Sequence, residues 1–168
     1  NKTEQVSKEI LEQVKYQIGD TTQKDEKDKI VVILEVPSSE DNEEETKTEQ
    51  SENKIDTKIY KSKDGVEYTT EGILKIPKIG IEYPVLSATS PELLFVSINR
   101  YHPKPEKMKP NEIGNYCIVG HYYENGKMFG KLHKLKNGDT AEFTDLTGKT
   151  VTYQVYNKEV VEPTDTSC

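Results

Sequence analysis

The chain has 168 residues, with 23 Lys+Arg against 30 Asp+Glu and a net charge of −7. The acidity is one-sided, because residues 1–71 carry 11 basic and 19 acidic groups while residues 72–168 carry 12 and 11. A nearly neutral C-terminal part offers no electrostatic footprint for nucleic acid, and an acidic leader is repelled by anionic lipid head groups.

The first element is an amphipathic helix. Val6, Ile10, Val14 and Ile18 recur at one helical spacing with Leu11 beside them, and Gly19 reads as its stop. The stripe is narrow, so the helix must lean on another element or fray. The apolar run Ile30–Val36 is seven residues long with Glu35 inside it, against the roughly twenty needed to span a bilayer. "PSSEDNEEETKTEQSENKIDT" (Pro37–Thr57) holds one aliphatic residue, Ile55, and no aromatic. Such a segment cannot bury enough surface to offset its ordering entropy and reads as a solvated, disordered spacer. It shows no Asp/Gly loop of the calcium-binding type.

From Gly72 the texture changes to short strands and turns. "GILKIPKIGIEYPVL" is broken by Pro77 and Pro84, which places its strands at edges or bends. "NYCIVGH" (Asn115–His121) reads as a buried strand ending at Gly120. "KNGD" (Lys136–Asp139) and "TGK" (Thr147–Lys149) are turn signals. Between and after them, "TAEFT" and "TVTYQVY" read as strands, and Val151, Tyr153 and Val155 share one face of the second. The pattern predicts an all-β domain, a sandwich or barrel, over 72–168. The leader and helix occupy 1–36, and an acidic disordered linker occupies 37–71.

Among the three histidines, His121 stands apart. It follows an apolar strand and a glycine, where a sheet rim meets a turn-rich loop, a suitable place for acid–base work. His102 and His133 read as loop or surface residues. The two cysteines, Cys117 and Cys168, lack a Cys-x-x-Cys spacing, and His121, His133 and Cys117 match no standard zinc ligand pattern. Cys117 reads as a small buried hydrophobe inside its strand.

Four stretches in order resemble the sortase family. They are "GILKIPKIGIEYPVL", "GNYCIVGH", "MFGKLHKLKNGD" and "TYQVYNKEVVEPTD", and their spacing agrees through Gly72–Asp165. The resemblance implies an eight-stranded sortase β-barrel on the outer face of a Gram-positive cell membrane. It implies a cysteine transpeptidase that cuts a Leu-Pro-x-Thr-Gly-like sorting signal through a thioester and passes the acyl group to a peptidoglycan-precursor or pilin amine. By motif match His121 takes the histidine role. No nucleic acid and no cofactor is implied; calcium occurs in the family, and nothing here indicates it. The membrane would be reached only through an anchor outside these residues. The family's nucleophile lies in Thr-Leu-x-Thr-Cys after a further loop, whereas "PTDTSC" follows directly on Val-Val-Glu-Pro with the charged Asp165 where leucine is expected. Cys168 therefore reads as a loop residue, and the catalytic cysteine is expected beyond residue 168. The family's arginine is expected there too, since the single arginine, Arg100, precedes His121. On this reading the domain lacks its last strands and is inactive as it stands. The rival is a non-catalytic surface β-domain that binds extended peptides by strand pairing.

Overall fold

The computed structural model describes residues 2–27, 58–101 and 109–162. The run Ile30–Val36, the acidic stretch 37–57, His102 and Cys168 lie outside the described residues. Among the described residues seven strands form one curled sheet. They are β1 (Lys58–Lys61), β2 (Glu67–Ile76), β3 (Ile81–Leu86), β4 (Ile98–Arg100), β5 (Ile118–Val119), β6 (Thr140–Asp145) and β7 (Thr150–Gln154). Their order is β5-β4-β3-β2-β6-β7, with β1 added to the first half of β2. All neighbours are antiparallel except β3 and β4, which run parallel. The mostly-β architecture is as expected, but the sheet begins at Lys58, ahead of the change of texture at Gly72. Within the stretch assigned to the linker, Tyr60 and Tyr68 are buried beneath the N-terminal helix, and those aromatics provide the apolar surface that 37–57 lacks.

The helix α1 (Lys2–Lys27) buries Val6, Ile10 and Val14 against Tyr60, Tyr68, Ile73, Leu86, Val96 and Leu146. It does not stop at Gly19. That glycine is exposed, and a Cβ there would meet nothing within 4 Å. Glycine lowers helix stability by about 1 kcal/mol without ending the helix. The opposite face of the sheet carries the larger core, in which Leu74, Ile76, Val85, Ile98 and Phe143 close on Met128, Phe129 and Leu135 from the loop after β5.

A bulge in β2 keeps both halves of the strand in the core under α1. The register shifts between Thr70 and Gly72. Side chains alternate along a strand, so Tyr68 and Ile73, an odd number apart, share the α1 face only because an extra residue intervenes. Gly72 beside the bulge has no room for a side chain: a Cβ would lie 2.4 Å from the Thr144 carbonyl oxygen and 2.6 Å from Phe143 Cε1.

The two prolines differ. Pro77 opens a 3-10 turn, Pro77–Ile79, that ends on left-handed Gly80. Pro84 lies inside central β3, not at an edge or bend. β4 pairs with β3 only at Val85 and Leu86, so the missing N–H of Pro84 interrupts no ladder bond on that side. The turn Asp145–Lys149 closes the β6–β7 hairpin, with Asp145 N donating to Lys149 O at 3.0 Å. Asn111, at φ 63°, clamps that hairpin from outside; its amide donates to the carbonyls of Phe143 (3.2 Å) and Lys149 (3.0 Å).

Candidate active site

β5 delivers His121 to the sheet rim, as a residue of the loop that follows it. The strand is shorter than the expected Asn115–His121, because β5 has one neighbour among the described residues and keeps only the pairs Asn99↔Val119 and Arg100↔Ile118. Gly120 lets the chain turn against the core, since a Cβ there would fall 2.7 Å from Ile98 Cγ2 and 3.0 Å from Phe129 Cδ2. The carbonyl of His121 accepts from Phe129 N at 3.0 Å, which closes the loop back on itself. Within that loop Gly126 N donates to Tyr123 O at 2.9 Å and Met128 N donates to Tyr83 Oη at 3.2 Å.

Two aromatic rings bracket the imidazole. Phe95 lies 5.1 Å away, centroid to centroid, and Tyr123 lies 5.2 Å away. Phe95 is carried by a second helix, α2 (Pro91–Val96), which the sequence reading did not identify. The Ser90 hydroxyl caps it by accepting from Leu93 N at 3.2 Å, and Pro91 opens it. His121 Nε2 is buried and has no hydrogen-bond partner among the described residues. A buried polar nitrogen left unpaired is costly, so it marks a place where a partner belongs.

Phe95 and Tyr123 also line a cleft of about 100 Å³ with Thr3, Glu4 and Lys127. Glu4 of α1 and Lys127 of the loop form an ion pair there; this partner holds the Glu4 carboxyl below its usual range and the Lys127 ammonium above its own. A larger cavity, about 240 Å³, lies over Glu71 and is walled by Asn111, Glu112, Asp145 and Lys149, with neither His121 nor its flanking rings in its lining.

His133 is exposed in a 3-10 turn, and its Nδ1 is 3.0 Å from the Tyr122 hydroxyl. Cys117 is half-buried, not an interior residue, because the segment before β5 has sheet on one side only; its Sγ faces Asn115 Oδ1 at 3.6 Å. Among the described residues no group of three or more His, Cys, Asp or Glu side chains is arranged to hold a metal ion. Nor is any described helix long and apolar enough to cross a membrane. Arg100 is buried against Glu71, 2.9 Å from Nη1 to Oε1, and both residues are 2% exposed. That engagement removes it from the surface where a reacting group would come.

The sortase domain family matches residues 74–168. Sortase D of Bacillus subtilis (strain 168) is 28% identical over 120 residues, which are 71% of this chain and 54% of that protein, so the chain spans about half the length of the curated relative it matches. A Clostridium perfringens sortase D5 transpeptidase structure is 28% identical, with a TM-score of 0.50 over 58% of this chain and 59% of that one. Sortase C of Streptococcus pneumoniae is 27% identical, with a TM-score of 0.51 over 58% and 50%. Sortase A of Corynebacterium diphtheriae, 24% identical with a TM-score of 0.52 over 61% and 47%, shares the fold. Since the family match covers more than half of the chain, His121 included, the chain belongs to the sortase family.

Proposed function

We propose that this chain is the His-bearing part of a cysteine transpeptidase that exchanges a surface-protein sorting signal onto an amine. The observation that supports this reading most is the position of His121. Its buried Nε2, unpartnered among the described residues, lies just beyond β5, the strand at which the described sheet ends. A further strand added to the open edge of β5 would run past His121, and a thiol on that strand would come to the unpaired nitrogen. We place the nucleophilic cysteine, and the arginine that stabilises developing oxyanion charge, on sequence downstream of residue 168.

The chemistry then takes two steps. The thiolate attacks the Thr carbonyl carbon of a Leu-Pro-x-Thr-Gly-like signal, a C–S bond forms, and the C–N bond to Gly breaks. The imidazolium of His121 gives its proton to the departing amine. An incoming amine, from peptidoglycan precursor or pilin, next attacks the thioester; neutral His121 takes its proton and the thiolate leaves. Splitting one amide exchange through a covalent intermediate lowers each barrier. Phe95 and Tyr123 restrict the imidazole so that it meets both amines in one orientation. The outer face of a Gram-positive cell is the setting this substrate requires, and Cys168 has no part in the reaction.

The outer edge of β5, unpaired among the described residues, also suits the second reading, a non-catalytic domain that captures an extended peptide by strand pairing. One experiment separates them. The chain alone and the chain with its native downstream sequence are incubated with a quenched Leu-Pro-x-Thr-Gly peptide and an amine. Cleavage by the extended form, abolished by His121→Ala, is expected. Cleavage by residues 1–168 with labelling of Cys168 would overturn the placement of the nucleophile, and peptide binding without cleavage in both forms would favour the second reading.

A further inference from the structure

Ahead of His121, whose own carbonyl is held by Phe129 N at 3.0 Å, the segment has little backbone pairing to hold it. β5 contributes two residue pairs, preceded by one bond from Tyr101 N to Cys117 O at 3.0 Å. What anchors its N-terminal end is a buried network of charge. Arg100 Nη1 of β4 donates to both carboxylate oxygens of Glu71, at 2.9 and 3.1 Å. The Tyr116 hydroxyl donates to Glu71 Oε2, and the guanidinium lies 5.0 Å from the Tyr116 ring centroid. The Tyr116 ring also meets Phe143 edge-on at 5.5 Å. Burial and the Glu71 charge push the Tyr116 phenol well above its ordinary range, so it remains a donor.

Stability alone does not account for a network of this kind. Removing a carboxylate and a guanidinium from water costs several kcal/mol, and apolar replacements of similar volume often do as well. Charge-assisted bonds supply direction instead. Glu71 is placed by the β2 bulge beside Gly72, Arg100 by β4, and Tyr116 begins the run that ends in Gly120 and His121. With Tyr116 fixed at one end and Gly120 seated on Ile98 and Phe129 at the other, the height of His121 above the rim is determined.

We infer that Glu71, Arg100 and Tyr116 are positioning residues for His121, an inference that rests on His121 being the acid–base residue proposed above. None of the three needs to touch substrate. The test uses the chain with its native downstream sequence, comparing wild type with Tyr116→Phe, Glu71→Gln and His121→Ala. In Tyr116→Phe, kcat is expected to fall about tenfold with KM within about twofold, as for a small misplacement of a reacting group. The His121 imidazole cross-peaks in a ¹H–¹³C spectrum should move, while the melting temperature stays within a few degrees. Glu71→Gln should act in the same direction and more strongly; if it does not fold, Tyr116→Phe, which lacks a single oxygen, decides. Unmoved His121 cross-peaks and unchanged kcat in a folded Tyr116→Phe, with His121→Ala inactive, would overturn the positioning role alone. Activity retained by His121→Ala would overturn the acid–base reading instead, and the cross-peaks would still decide whether the network places the ring.

Discussion

The phenyl ring of Phe95 rests 5.1 Å from the imidazole of His121, with the two planes tilted by 36°. Phe95 is 54% exposed and belongs to neither core cluster. Its truncation should therefore cost little stability, within about 1 kcal/mol. In the extended enzyme, Phe95→Ala should free one face of the imidazole and lower kcat by about tenfold. If Phe95 serves substrate binding instead, KM will rise and kcat will hold, so the two kinetic parameters measured together distinguish the roles.

Much of this arrangement could be read from sequence, and the unread parts share a physical cause. The position of His121 at a sheet rim was legible because its strand, glycine and loop are contiguous. The β6–β7 hairpin was legible from Gly148, whose turn is local. α2 was signalled by Ser90-Pro91-Glu92, a cap followed by a proline, but six residues gave no periodicity to notice. The β2 bulge had no local signature, since the switch of faces between Tyr68 and Ile73 depends on what packs against each side. Nor could the Glu71 partners be found along the chain: Arg100 is 29 residues away and Tyr116 is 45. Pairings of that separation are set by sheet order, and a sequence pattern with one parallel pair inserted among antiparallel strands does not disclose the order.

Gly72 is a sharp test of the bulge. An alanine Cβ would press on the Thr144 carbonyl at 2.4 Å and on the buried Phe143 ring at 2.6 Å, with no flexible side-chain end to yield. Overpacking of this kind costs typically 1–3 kcal/mol. Gly72→Ala should lower the stability by about 2 kcal/mol, or the melting temperature by roughly 10 °C. A variant that melts with wild type would show that β2 and β6 are not packed so closely.

Acid sensitivity should trace in part to Asp139. Its carboxylate accepts from Lys78 Nζ at 2.7 Å and from Lys136 N at 2.7 Å, joining the Pro77–Ile79 turn to the start of β6. Lys78 first, then the Lys136 amide, hold its pKa below the ordinary Asp value. With the folded pKa below the unfolded value of about 3.9, the unfolded state binds more protons in the window between them. The stabilisation is thus present above about pH 4 and is lost as pH falls through the folded pKa. Asp139→Asn should flatten the stability profile below about pH 4, measured by urea unfolding at several pH values, and an unchanged slope would remove Asp139 from the account.

The edge of β5 gives the last prediction. Ile118 and Val119 are half-buried and paired on one side, and beyond them the described sheet ends. An unpaired edge presents free N–H and C=O groups to any other strand, and a β-protein that leaves one open tends to associate. If downstream sequence completes the sheet here, residues 1–168 alone should melt broadly and associate as concentration rises. The extended chain should be monomeric and melt in one sharp step. Light scattering and calorimetry on the two forms make the comparison. A sharp, reversible transition by a monomer of residues 1–168 would mean that the β5 edge is already satisfied, and the nucleophile would then have to approach His121 by another route.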